Sequence, residues 1–376
     1  MNTDQKIYEG FIAWLRTSWG HLPDSDELLP MISEAYTLDD AKLLTGIPFQ
    51  EKTLAELATL KNLPETELEM RLDDLACRGL IFRVKKDGII HYRLADARFV
   101  FLRSFFWPGT DTEQGRAVAK HVNQYYRDGF GDNWKGVHTK GLRALPIKQT
   151  IDDPRRILPY EDVVKVLEDQ NRFAVATCAC RQRQSLDDSS ENTCTHEKQN
   201  CLHFGNFADY IIENGLGKEI TQSEAEKILH DAAEEGLVHG ISNWQKDVDT
   251  ICNCCSCCCL YMEAFHVLGH AKGMNQSNYE VRINEDTCKG CGLCEKRCPM
   301  EGIALTHSER ANNRTGKIAS LEPGICIGCG VCAHKCPTES LSLSRRATLD
   351  HPPENVKEQR KRFFEEKAAL KSQEAT

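Results

Sequence analysis

One spacing of cysteines occurs twice in the last third of this chain, and nothing else in it constrains folding as strongly. Cys288-Lys-Gly-Cys291-Gly-Leu-Cys294-Glu-Lys-Arg-Cys298-Pro299 and Cys326-Ile-Gly-Cys329-Gly-Val-Cys332-Ala-His-Lys-Cys336-Pro337 both read C-x2-C-x2-C-x3-C-P. Three thiols set two residues apart let a tight loop wrap one compact metal centre. The fourth cysteine starts a turn that leads away from it.

This repeated motif is that of the bacterial two-cluster ferredoxins, which the segment from Cys288 to Cys336 resembles. The resemblance implies two [4Fe–4S] clusters that exchange their fourth ligands. Cys288, Cys291, Cys294 and Cys336 would hold one, and Cys326, Cys329, Cys332 and Cys298 the other. Gly290, Gly292, Gly328 and Gly330 are the cofactor-binding positions of the scheme. Without a Cβ they let the backbone approach the cube and turn N–H groups toward sulfur, and such donors tune the reduction potential. They lack the third glycine and following helix of a nucleotide-binding loop. Pro299 and Pro337 end the turn that carries the fourth ligand. Zinc sites favour isolated sets of four ligands, not a triple run with a distant fourth. The 27 residues between Cys298 and Cys326 include a polar insert near Asn312-Asn313-Arg314, and a longer loop costs little.

The chain holds 19 cysteines in 376 residues. Cys77 stands alone and reads as a small buried thiol on the apolar side of a helix. Ten more lie between Cys178 and Cys259. Cys178, Cys180, Cys194 and Cys201 form a first group. Cys252, Cys254, Cys255, Cys257, Cys258 and Cys259 form a second, six within eight residues. Thiols so crowded are prone to oxidation without a metal, so both groups are read as ligands of one or two further clusters. One division gives the first four to one cluster and four of the second group to another. A combined site and a zinc site are the alternatives, since C-x-C pairs also occur in zinc sites. Arg181 and Arg183 read either as surface charge or as cations that offset a cluster's negative charge. His196 and His203 lie among the ligands and could coordinate, but read first as supporting or surface residues. The stretches Ala176-Thr177-Cys178-Ala179-Cys180-Arg181, Phe204-Gly205, Glu235-Gly236-Leu237-Val238-His239 and Ile251-Cys252-Asn253-Cys254-Cys255, followed by the two motifs, resemble ferredoxin-like proteins of anaerobic bacteria known by a 4Fe–4S dicluster domain. That resemblance spans roughly residues 155–345 and names no substrate.

The fold class expected is α+β. A winged-helix-like module spans 1–98, an aromatic-rich connecting segment 99–158, and a mixed α/β cysteine-rich middle domain 159–276. A ferredoxin-like two-cluster domain spans 277–346 and a charged helical tail 347–376, read as solvated unless it docks a partner. Residues 1–22 read as an amphipathic helix. Leu54, Leu57, Leu60 and Leu63 mark one helical face, and Leu68, Leu72 and Leu75 point inward from a helix over 65–78. Strand-like runs at 80–84 and 89–94, joined by Lys-Lys-Asp-Gly, complete a winged-helix pattern. In the middle domain, 160–170 reads as helix and 173–177 as a buried strand. Thr221 and Glu224 form a capping box for a helix that Gly236 ends.

Net charge is −9, and the helix that would enter a DNA groove carries five acids against two bases. Phosphate contacts supply most DNA affinity, so no nucleic-acid partner is expected. The first residues lack an apolar signal core, and no apolar stretch of about 18 residues is present. These features place the protein in the cytoplasm, not in a membrane, with its thiols reduced. The leading function is single-electron relay as a subunit or partner of a larger oxidoreductase complex, with a homodimer as a further arrangement. The stretch 279–345 holds about eight acids and nine bases and so lacks the acidic surface of many free carriers. No catalytic residue is singled out. The alternatives are an oxidoreductase with a substrate-binding cluster in the middle domain and a redox-sensing DNA-binding regulator.

Overall fold

The computed structural model describes residues 3–20, 22–192 and 194–374, so the ends of the 1–98 and 347–376 segments, and residue 21, lie outside the description. Helices take 43% of the chain and strands 16%, which makes the class α+β. No helix among the described residues is long and apolar enough to cross a membrane. The chain forms two units, one of residues 1–133, 174–201 and 206–219, the other of residues 134–173, 202–205 and 220–376.

In the first unit, helices Thr3–Leu15, Leu28–Ala35, Leu38–Leu44, Leu54–Lys61 and Glu65–Cys77 precede an antiparallel hairpin, Ile81–Lys86 with Ile89–Leu94. Thr37 and Thr53 cap their helices with full capping boxes to Asp40 and Glu56. The hairpin loop is shorter than the sequence suggested. Lys85 and Lys86 belong to the strand, and only Asp87 and Gly88, both at positive φ, make the turn, as a two-residue loop on a right-twisted ribbon requires. Leu60 does not share the face of Leu57: it is 55% exposed, because steps of three residues drift round a helix of 100° per residue. Cys77 is exposed rather than buried. It lies nine residues after Leu68, half a turn from the stripe of Leu68, Leu72 and Leu75. Phe82, Phe99, Trp107, Phe207 and Tyr210 pack ring against ring, with Phe99 to Trp107 at 5.4 Å and Phe82 to Tyr210 at 4.8 Å. The short strand Phe173–Ala176 pairs through Ala174 and Val175 with Lys218–Glu219 and leads to the helix Ala179–Leu186.

In the second unit, strands Leu142–Ala144, Val238–Ser242, Thr250–Cys254 and Cys201–Phe204 lie side by side in that order, all antiparallel. The helix Gln222–Glu235 starts at the Thr221–Glu224 capping box and ends at Gly236, φ 89°, as its sequence predicts. The C-terminal part has an internal symmetry. Each cysteine motif carries a short helix, Leu293–Arg297 or Val331–His334, and two antiparallel pairs frame them: Tyr279–Ile283 with Leu341–Arg345, and Ile303–His307 with Lys317–Leu321. The tail is not merely solvated. It forms the helix Val356–Glu374, whose Phe363 is buried against Trp134 at 4.5 Å. Its Glu366 carboxylate accepts from the Thr139 N–H and hydroxyl at 2.8 and 2.7 Å.

Candidate metal centre

The C-x2-C-x2-C run turns each motif into a loop that ends in a short helix, with Gly292 or Gly330 at the N-cap in the left-handed region. Cys288, Cys294, Cys329 and Cys332 are buried, Cys298, Cys326 and Cys336 half-buried, and Cys291 exposed. A cavity is walled by Cys298 of the first motif and by Cys326, Cys329 and Cys332 of the second, with Val281, Ile303 and Leu343 among its apolar lining. Around the first loop, Cys288, Cys294 and Cys336 share an apolar cluster with Ile318 and Leu341.

Gly290 and Gly328 occupy equivalent motif positions, at φ 59° and 71°. A Cβ on Gly290 would stand 2.4 Å from the Lys317 carbonyl oxygen, and one on Gly328 would stand 2.1 Å from that of Tyr279. Both loops thus press against the strand beside them, and only glycine permits the approach. Polar clips hold the same loops. Asn313 Nδ2 donates to the carbonyls of Cys288 at 2.9 Å and Lys317 at 2.8 Å. Arg346 Nη2 donates to the Cys326 carbonyl at 2.7 Å, and its Nη1 pairs with Glu280 at 3.0 Å. Arg297, next to Cys298, donates to the Ala233 and Glu234 carbonyls at 3.1 and 3.4 Å. These carbonyls lie in the last turn of the helix Gln222–Glu235, where that of Ala233 also accepts from the Gly236 N–H at 3.1 Å.

Burial pushes the Cys329 thiol up to about 12 and the Cys294 thiol up to about 11. Cys298 is also raised by burial, against the backbone N–H groups of Gly302, Met300 and Ile303. At Cys336 burial is outweighed by the Ser340 hydroxyl and the Thr338 and Leu341 N–H groups, so its thiol is lowered. Buried thiols of this kind ionise only when a cation takes the charge. The Gly302 N–H reaches the Cys298 sulfur at 3.3 Å and the Ala319 N–H reaches that of Cys288 at 3.5 Å.

Residues 287–340 match the family model described as 4Fe-4S dicluster domain. This segment is a ferredoxin-type 4Fe–4S domain. The match contains all eight motif cysteines. No curated protein matches the chain. The donor set of the dicluster domain fits iron–sulfur clusters: soft thiols, apolar walls, and backbone donors that reach sulfur.

The middle cysteines divide between the units. In the first, Cys178 precedes the helix Ala179–Leu186, takes the Lys198 carbonyl on its N–H at 2.7 Å, and has its thiol raised first by the Cys180 thiol and then by burial. Cys194 is half-buried in the loop before buried Cys201. Arg181 and Arg183 are not surface charge; each is 1% exposed. Arg181 Nη1 donates to the Glu197 carbonyl and to Asn200 Oδ1, both at 2.9 Å, and so holds the loop between Cys194 and Cys201. Arg183 lies over the Tyr126 ring at 5.3 Å. His196 is half-buried.

In the second unit, the alternation of the strand Thr250–Cys254 sends Cys252 and Cys254 to one face. The Cys254 thiol is in hydrogen-bond contact with those of Cys252 and Cys259, and these contacts, followed by burial, raise it. Asn253, on the other face, meets the buried His239 Nδ1 at 2.7 Å. His203 Nδ1 meets Thr250 Oγ1 at 3.2 Å. The turn between this strand and the helix Leu260–His266 carries the remaining three, Cys255, Cys257 and Cys258, whose sulfurs lie within 4.8 Å of one another. Asn313, Arg346 and Arg297 were missed by the motif reading. Only the polar insert around Asn313 carried any sequence signal.

Proposed function

We propose that this protein relays single electrons through two [4Fe–4S] clusters in the dicluster domain. The observation that carries the reading is the cavity walled by one thiol of the first motif and three of the second. On this reading Cys298, Cys326, Cys329 and Cys332 hold one cluster, and Cys288, Cys291, Cys294 and Cys336 hold the other. A cube held by four thiolates supplies one-electron transfer. The protein's own part is to exclude water with Val281, Ile303 and Leu343, to offer N–H groups to sulfur at Gly302 and Ala319, and to clamp the loops through Asn313, Arg346 and Arg297. Together these settings hold geometry and solvent access fixed, which sets the potential.

Cys252, Cys254 and Cys259 supply thiolates for a further centre. Support comes from one buried apolar cluster that contains Cys254, Cys259 and Cys329, with Cys298 packed against it. Cys178, Cys180, Cys194 and Cys201 are kept as ligands on the strength of the paired thiols at Cys178. The partner is a redox protein or oxidoreductase complex in the cytoplasm, and the balanced charge of 279–345 favours a docked subunit. The helices and hairpin of 1–98 serve as a winged-helix-like packing or dimerisation module. The five acids and one base of the helix Glu65–Cys77 speak against DNA.

Anaerobic iron and acid-labile sulfide analysis, with EPR of the reduced full chain, tests the proposal. Two clusters in the dicluster domain contribute about eight irons, and Cys291→Ala removes one signal. Material that stays colourless and sulfide-free after reconstitution ends the reading.

A further inference from the structure

Two thiol spacings coexist in this protein. A cube binds its thiolates on four different irons, which keeps their sulfurs well apart. A single tetrahedral ion with metal–sulfur bonds of ~2.3 Å sets its sulfurs only ~3.8 Å from one another. Among the described residues, the thiols of the dicluster domain form no group placed to hold one ion. The sulfurs of Cys255, Cys257 and Cys258 lie within 4.8 Å of one another, and Cys257 to Cys258 measures 3.7 Å.

The backbone explains the convergence. The strand ends at Cys254, the next residues form a turn, and the Cys259 N–H returns to the Cys255 carbonyl at 3.2 Å. That closure brings three thiols to one side of a five-residue loop. Cys255 and Cys258 are buried, while Cys257 is exposed, so the site is built into the fold and open at one edge.

We infer that Cys255, Cys257 and Cys258 hold a single tetrahedral metal ion of the zinc class, separate from every iron–sulfur cluster of the protein. Three thiolates come from the turn, and one position is left for a ligand from outside it. The site locks the turn between the strand Thr250–Cys254 and the helix Leu260–His266. The strand's own pair, Cys252 and Cys254, stays outside this site. Electron relay through the dicluster domain does not depend on this assignment.

The test uses the full chain, purified anaerobically after growth with both iron and zinc. About one zinc per chain is expected beside the iron. Cys257→Ser lowers zinc severalfold while iron, sulfide and the EPR of the reduced protein stay unchanged. Cobalt(II) offered to zinc-depleted protein gives thiolate charge-transfer and tetrahedral ligand-field bands that Cys257→Ser abolishes. Should the variant fold poorly, alkylation of the wild type decides the matter: exposed Cys257 is protected until a chelator strips zinc, then reacts. The assignment is overturned if the wild type carries no zinc and takes no cobalt. It is equally overturned if Cys257→Ser removes iron and sulfide in parallel, or if chelation leaves the alkylation rate of Cys257 unchanged. A wild type without iron would instead sink the relay reading and leave the zinc result to stand by itself.

Discussion

Gly328→Ala tests how tightly the second motif is fitted to its frame. At φ +71°, alanine in the left-handed region costs about 1–2 kcal/mol. The new Cβ would also lie 2.1 Å from the Tyr279 carbonyl oxygen and 2.2 Å from Ser277 Oγ. Relieving that contact means moving strand backbone, at about 1–3 kcal/mol. The Ser277 hydroxyl's bond to the Gly328 carbonyl, 2.8 Å, would be disturbed as well, for about 1 kcal/mol more. The expected loss is therefore about 3–6 kcal/mol. Gly269 is the control: its φ is +67° and a Cβ there meets nothing within 4 Å, so Gly269→Ala should lose only about 1–2 kcal/mol. Anaerobic urea titrations followed by cluster absorbance and far-ultraviolet circular dichroism read both. Equal midpoints for the two variants would refute the argument that the loop is pressed against the strand.

Three further outcomes are expected. Arg297→Ala removes charge-assisted bonds to the end of the helix Gln222–Glu235 and lowers stability by about 1–2 kcal/mol in denaturant titration, with Arg297→Lys recovering only part; a neutral result would show that the clamp is dispensable. Burial holds the His239 ring down to about 4 from its ordinary 6.5, so the unfolded chain binds the extra proton between these values. The stabilisation is full above pH about 6.5 and falls as pH drops toward about 4, reaching a loss of about 2 kcal/mol at pH 5; His239→Gln should flatten that acid slope, and an unchanged slope would count against the burial argument. Phe363→Ala should free the C-terminal helix from Trp134 at a local cost of about 3 kcal/mol, read as faster hydrogen exchange over 356–374; unchanged protection there would contradict the docking.

The dicluster domain was legible because its code is local and chemical. Eight cysteines at fixed spacing leave few other uses, and the pairing of Cys298 with the second motif followed from the resemblance before the cavity displayed those four thiols together. Capping residues were equally readable: Thr221, Glu224 and Gly236 act within a few residues of one another. What escaped depended on distant partners. For Arg181 and Arg183 the surface-charge reading stayed open beside the charge-offsetting one, because nothing in a short window signals that a guanidinium is 1% exposed. Phe363 is one ring in a charged helix, and its burial follows from Trp134, more than two hundred residues earlier. Leu60 and Cys77 failed for a simpler reason, a helical phase judged from spacing alone. The turn thiols were counted as ligands from their crowding, but their sulfur-to-sulfur separations exist only in three dimensions.

The helix Gln222–Glu235 has one more consequence. Its last turn is gripped by Arg297, which precedes Cys298, while the Glu234 carboxylate binds His334 at 2.8 Å and Lys335, which precedes Cys336. The last cysteine of each motif is thus leashed to a single anchor. Displacing this helix end would therefore disturb both motifs together, and on the proposed relay both cluster environments would move with it.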